Sequence, residues 1–200
     1  DLIYNLLIVG ALSAAFIPVF TGLVSNDKEK EAWKLANGLL NLVVFSIILI
    51  SVVLAIFAPY VMKAVTPGFS GEKMESVVMF TRIMFLSPLF FGISGIFGGI
   101  LTSFKKFLIY SLAPLFYNLG IIFGIFVFVP IFGEIGLAWG VAFGALLHML
   151  IQYPAVRHAG FKYEFTFLES LKSRDIREVL RLMIPRTLGI AVTQINLVII

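Results

Sequence analysis

The sequence predicts an all-α membrane protein, a single polytopic bundle of six transmembrane helices over residues 1–200. Hydrophobic residues make up 60% of the chain and charged residues 13%, against about 25% charged in a typical soluble domain. The mean hydropathy is +1.04. Six segments come near the ~20 mostly apolar residues that a spanning helix needs: 2–24, 36–62, 76–103, 107–131, 136–153 and 179–200. The last run, Asn196-Leu-Val-Ile-Ile200, stops without a polar flank and the first residue is Asp1. The chain therefore reads as a fragment, with the remainder of the same polypeptide expected beyond it.

The connections between these segments are short, so consecutive helices are expected as antiparallel neighbours. One set of loops carries Lys28, Lys30 and Lys34, then Lys105 and Lys106, then Arg157, Lys162, Lys172, Arg174, Arg177 and Arg181; the other carries Lys63 and Lys73. The positive-inside rule assigns the first set to the cytoplasm. This topology also accounts for the formal net charge of +4. The basic residues form no stripe interleaved with exposed aromatics, so nucleic acid is not the expected partner.

Small residues mark where helices can approach closely. Gly136, Gly140 and Gly144 lie on one face of the fifth segment, Gly95 and Gly99 on the third, and Gly120 and Gly124 on the fourth, the small-xxx-small spacing of tight membrane packing. Pro18, Pro59, Pro88, Pro114 and Pro185 fall within or at the ends of spans, where each removes a backbone donor. Such kinks suit a moving transporter and equally suit static packing.

Between the fifth and sixth spans the pattern changes. Phe161, Tyr163, Phe165 and Phe167 alternate with Lys162, Glu164 and Thr166, a period of two that predicts an extended or interfacial segment. Asp175 and Glu178 then have capping-box spacing. The apolar stripe Ile176, Val179, Leu180 and Met183, opposed by Arg174, Arg177 and Arg181, places this helix start among the cytoplasmic headgroups.

The chemistry of catalysis is missing from the pattern. The chain has no cysteine, no H-E-x-x-H, G-x-S-x-G or Walker A motif, and no paired carboxylates within the spans. No metal or cofactor is implied, and no enzyme is expected. His148 stands in the fifth span without a second ligand at a metal-binding interval. Two cations remain inside the apolar segments, Arg82 and Arg186, with no carboxylate in those segments to neutralise them. A charge at membrane depth faces a hydrated cavity, a partner or a substrate, or it snorkels to an interface. Arg82 lies seven residues after Glu75 and Arg186 just after Pro185, so depth leaves both readings open. With them, the neutral polar residues Ser13, Asn118, Gln194 and Asn196 are candidates for contact with an anionic guest.

Specific strings carry a resemblance. Gly10-Ala-Leu-Ser-Ala-Ala-Phe-Ile-Pro-Val-Phe20, Arg82-Ile-Met-Phe85, Gly92-Ile-Ser-Gly-Ile-Phe-Gly-Gly-Ile-Leu101, Ala113-Pro-Leu-Phe-Tyr-Asn-Leu-Gly-Ile-Ile122 and Met183-Ile-Pro-Arg-Thr-Leu-Gly189 resemble, in order, the MurJ/MviN family of lipid II flippases. The family belongs to the multidrug, oligosaccharidyl-lipid and polysaccharide exporter superfamily. The resemblance implies a two-lobed helical bundle of which this chain supplies helices two to seven, a partial N-terminal lobe. It further implies residence in the bacterial cytoplasmic membrane and a role in peptidoglycan synthesis and cell shape. The cargo would be lipid II, an undecaprenyl-pyrophosphate-linked disaccharide-pentapeptide, moved by alternating access. Arginine fits such a cargo because its fork pairs with phosphate oxygens bidentately. Many members carry basic residues near the start of the second helix, where this chain has Tyr4 and Asn5. A related exporter of drugs or polysaccharide intermediates, and a non-transporting structural subunit, are the competing readings.

The topology makes a direct prediction. Cysteines placed at Asn26 and Gly71 will label from opposite faces of the membrane, only the second from outside intact cells; labelling of both from outside contradicts it.

Overall fold

Residues 13–183 and 185 are described by the computed structural model, and every regular element among them is helical. In order these are α1 (Ser13–Ser25), α2 (Glu29–Val65), α3 (Glu72–Met84), α4 (Leu86–Ser103) and α5 (Phe107–Phe123). A π turn, Gly124–Phe128, joins α5 to α6 (Val129–Phe132), and α7 (Ile135–Leu150), α8 (Tyr153–His158) and α9 (Phe167–Ser170) follow. A last helix, α10, covers 174–183. Four continuous stretches among the described residues are long and apolar enough to cross a membrane: Glu29–Val65, Glu72–Ser103, Phe107–Phe132 and Ile135–His158. Of the expected span 2–24, residues 13–24 are described and lie in α1, and of 179–200 only 179–183 and 185 are described.

Several boundaries differ from hydropathy alone. α2 starts at Glu29, not at position 36, and its 37 residues reach about 55 Å at 1.5 Å each, well beyond a hydrocarbon core of ~30 Å. Glu29 and Glu31 in its first turn complement the positive end of the helix dipole and carry it on into the polar layer. α3 starts at Glu72 after Gly71, whose φ of +55° is a conformation that glycine adopts without steric penalty. The expected cap at Asp175 is corrected. α10 begins at position 174 because Ser173, two residues earlier, already accepts the Ile176 amide on its hydroxyl at 3.5 Å, leaving Asp175 inside the first turn.

Packing follows the small residues. α5 and its π turn lie along α7, where a Cβ on Gly120 would collide with the Gly144 backbone and one on Gly124 with the Gly140 backbone. Gly136 abuts the Phe128 carbonyl in the same seam. α4 packs on α1, α2 and α7; a Cβ on its Gly99 would come within 2.6 Å of the Phe16 ring, while Gly95 is half-buried. At the lysine- and arginine-rich end, Trp33 stacks on Phe104 at 5.9 Å and meets Phe20 and Phe161 edge-on at 5.5 and 6.2 Å. One aromatic cluster thus joins α1, α2, the α4–α5 turn and the segment after α8.

That segment, 161–166, has no helical hydrogen bonding and is held by α2. Asn37 donates to the Lys162 carbonyl at 2.8 Å and accepts from the Glu164 amide at 2.9 Å, pairing with the chain as a neighbouring strand would. One turn along, Asn41 donates to the Glu164 carbonyl at 3.1 Å and accepts from the Tyr163 hydroxyl at 2.8 Å. Gly38, between them, leaves room for Ser170 and Ile176.

Proline breaks are treated in a similar way. Pro59 lies inside α2 and has no amide to give the carbonyl four residues back, which is that of Ala55. Arg82 Nε of α3 donates to that carbonyl at 3.0 Å. Near Pro88 the span bends between α3 and α4, and there Ser51 of α2 donates to the Phe85 carbonyl at 3.3 Å.

The Arg82–Ala55 bond exists because Pro59 frees an acceptor, so the two residues should be energetically coupled. In a double-mutant cycle on unfolding of the detergent-solubilised protein, Arg82→Ala alone is expected to lower stability by about 1 kcal/mol. In a Pro59→Ala background, where a helical amide returns to the carbonyl, most of that loss should vanish. Full additivity would show the bond to be incidental.

Candidate functional site

Among the sequence-derived candidates, Arg82 is placed most fully. It sits in the last turn of α3, exposed, with Nε engaged by Ala55. Its guanidinium therefore does structural work at one nitrogen while both Nη groups, with their own donors, extend beyond that bond. Asn118 is exposed on α5, a helix that packs mainly on α7, whereas α3 packs on α2 and α7. The structure sets these two on separate helices and joins them by no contact. Ser13 opens α1. Arg186, Gln194 and Asn196 lie outside the described residues.

Buried polar side chains also gather around His148, a packed polar residue on the sequence reading; Ser94 is the member that reading did not single out. Ser94 of α4 lies 2.6 Å from His148 Nδ1 of α7, and Gln152 Nε2 donates both to Ser94 Oγ and, at 3.0 Å, to the His148 carbonyl. All three side chains are buried. Phe91 meets the imidazole edge-on at 5.2 Å. Gln152 also supplies a donor to a carbonyl near the α7–α8 junction, where Pro154 interrupts the backbone ladder. The signal for this network was the four-residue step from His148 to Gln152, which puts both on one helix face; its partner Ser94 had no local signal.

Chemically, the described interior is neutral and hydrogen-bonding. Among the described residues no three His, Asp or Glu side chains converge to hold a metal ion. The Ser94–His148–Gln152 set ties α4 to α7 and, among the described residues, leaves the buried Gln152 Oε1 without a hydrogen-bond partner. Arg82 alone among the placed candidates brings positive charge into a span, opposite the Ala55 carbonyl that Pro59 frees and close to where α3 gives way to α4.

Comparison with known proteins agrees with this architecture. The family model described as lipid II flippase MurJ matches residues 1–200. A probable lipid II flippase MurJ of Rhizobium tropici is 28% identical, covering 100% of this chain and 38% of the relative. The lipid II flippase MurJ of Burkholderia cenocepacia is 27% identical over 100% of this chain and 40% of the relative; a probable one of Vibrio cholerae is 31% identical over 94% and 38%. The chain thus spans about two fifths of the length of these relatives. A solved structure of lipid II flippase MurJ in an inward closed conformation shares the fold, with a TM-score of 0.77 and 24% identity, over 97% of this chain and 39% of that one. With a family match along its whole length and four membrane-crossing helices in place, the chain belongs to the MurJ family and is part of a multi-pass protein of the bacterial inner membrane.

Proposed function

We propose that the protein to which this chain belongs moves lipid II, or a closely similar lipid-linked pyrophosphate, between leaflets, the chain supplying helices of the N-terminal lobe. The observation that carries this reading is the family match over all 200 residues, joined by relatives named for that activity. Transport by alternating access needs a second lobe to move against, and this chain covers only about two fifths of those relatives. The activity is therefore assigned to the longer protein. Transport, with no bond made or broken in the cargo, also suits a described interior whose buried polar side chains include no Asp, Glu, Lys or Arg.

In this reading Arg82 and Arg186 attract the pyrophosphate. Arg82 offers its Nη donors while Nε stays on Ala55, so one guanidinium both satisfies the carbonyl that Pro59 frees and presents charge. Ser13, Asn118, Gln194 and Asn196 are proposed as neutral hydrogen-bonding partners of the cargo's polar groups. Lysine keeps the charge and the snorkelling reach but loses the planar fork, which makes it the discriminating substitution.

In full-length protein reconstituted in vesicles, Arg82→Lys and Arg186→Lys are expected to slow movement of labelled lipid II by about tenfold at normal abundance, the scale of one lost charge-assisted hydrogen bond. Normal transport in both Lys variants, with Ala variants merely less abundant, would remove the arginines from recognition. Failure of the unsubstituted protein where another flippase succeeds would overturn the functional reading itself.

A further inference from the structure

We infer that residues 163–171 form a shallow finger inserted into the cytoplasmic leaflet, with lipid acyl chains as the partner of its exposed apolar side chains. α2 serves as a depth gauge. Its charge-free run lies between Lys34 and Lys63, and a core of ~30 Å takes about 20 of its residues. Phe45, Ile48, Leu49 and Val52 are exposed along it, which marks the lipid-facing wall. The linker after α8 is tied to this gauge at three levels. Lys162 is held by Asn37 and Glu164 by Asn41, while the Phe167 ring packs on Phe45 at 4.8 Å. From Asn37 to Phe45 is eight residues, or about 12 Å towards the membrane centre. The chain then turns back, since Ser170 stands against Gly38. The linker therefore dips and returns instead of running flat.

The tip of this dip is apolar and uncovered by protein. Phe165 is 77% exposed, Leu168 75% and Leu171 52%, and Phe167 makes them continuous with the exposed wall of α2. Lys162, Lys172 and Arg174 flank the tip in sequence, where the dip meets the headgroup level and lipid phosphates lie. Glu169 is exposed and lines a small recess with Lys34, Ser170 and Ser173. Non-helical backbone is excluded from hydrocarbon unless protein satisfies its polar groups; Asn37 and Asn41 do this for the Lys162 carbonyl and for both the amide and carbonyl of Glu164. The occupant chosen is lipid because the tip extends a lipid-facing surface and is bracketed by charge complementary to phosphate.

The chain has no cysteine, so single-site labelling needs no removals within it. In full-length protein reconstituted in phosphatidylethanolamine–phosphatidylglycerol vesicles, an environment-sensitive dye at Phe165→Cys or Leu168→Cys is expected to emit to the blue. It should be quenched by lipid brominated high on the acyl chain and spared by aqueous iodide, with the opposite ordering at Lys172→Cys. Iodide reaching positions 165 and 168 as freely as 172 overturns the inference. So does shielding from both quenchers, which would mean that protein covers the tip. Hydroxyl-radical footprinting of the unsubstituted protein checks the same residues in the same vesicles; oxidation of Phe165 at the rate of a water-exposed phenylalanine contradicts insertion.

Discussion

A backbone amide or carbonyl inside a bilayer has only protein to bond to, and this chain repeatedly leaves such groups without a helical partner. Pro18, Pro59 and Pro114 interrupt helices from within, and residues 161–166 abandon helix altogether. Where the described structure departs from a regular ladder, a side chain from another element often stands in. Arg82 takes the Ala55 carbonyl, Ser51 bonds the Phe85 carbonyl at the α3–α4 bend, and Asn37 and Asn41 complete the linker. These bonds set which helices neighbour which. Glycine contacts then bring the helices to backbone distance, as along α5 and α7.

The same economy shapes charge. A guanidinium in a span is unfavourable by roughly 2.5–3.5 kcal/mol on insertion scales, and a bond to a carbonyl recovers part of that. Arg82 is so placed that its structural bond uses one nitrogen and leaves the rest of the fork unconstrained by it. A residue of this kind can serve fold and cargo together, so loss of function on its removal has two sources that must be separated. The Ser94–His148–Gln152 set is different in kind: buried and without an Asp, Glu, Lys or Arg, it holds α4 against α7.

Much of this architecture was legible because it rests on local periodicity. The all-helical membrane class follows from apolar runs, and the extended linker from the alternation at Phe161, Tyr163 and Phe165. What was not legible depends on residues distant in sequence. Asn37 and Asn41 read as buried polar residues suited to bonds across helices, but their partners Lys162 and Glu164 return to them more than a hundred positions later. Nothing local distinguished Ser94 from other serines, or indicated that Ala55, through Pro59, would offer an acceptor to Arg82. At α10 two local signals competed, and the serine upstream of Asp175 prevailed because its hydroxyl reaches the Ile176 amide first. For the candidate site, charge pattern singled out Arg82, but its carbonyl partner could be learned only from the packed helices.

The central claim is that side chains complete the backbone where the helices stop, and the Asn37 contact tests it most directly. Amide hydrogen exchange at Glu164 can be compared between the protein and its Asn37→Leu variant in the same vesicles. Loss of the bond to Asn37 Oδ1 should speed exchange at Glu164 by about fivefold, the scale of one hydrogen bond of about 1 kcal/mol. The Val156 amide, bonded within α8 to the Gln152 carbonyl at 3.1 Å, should be unchanged. Equal exchange at Glu164 in both proteins would contradict the account.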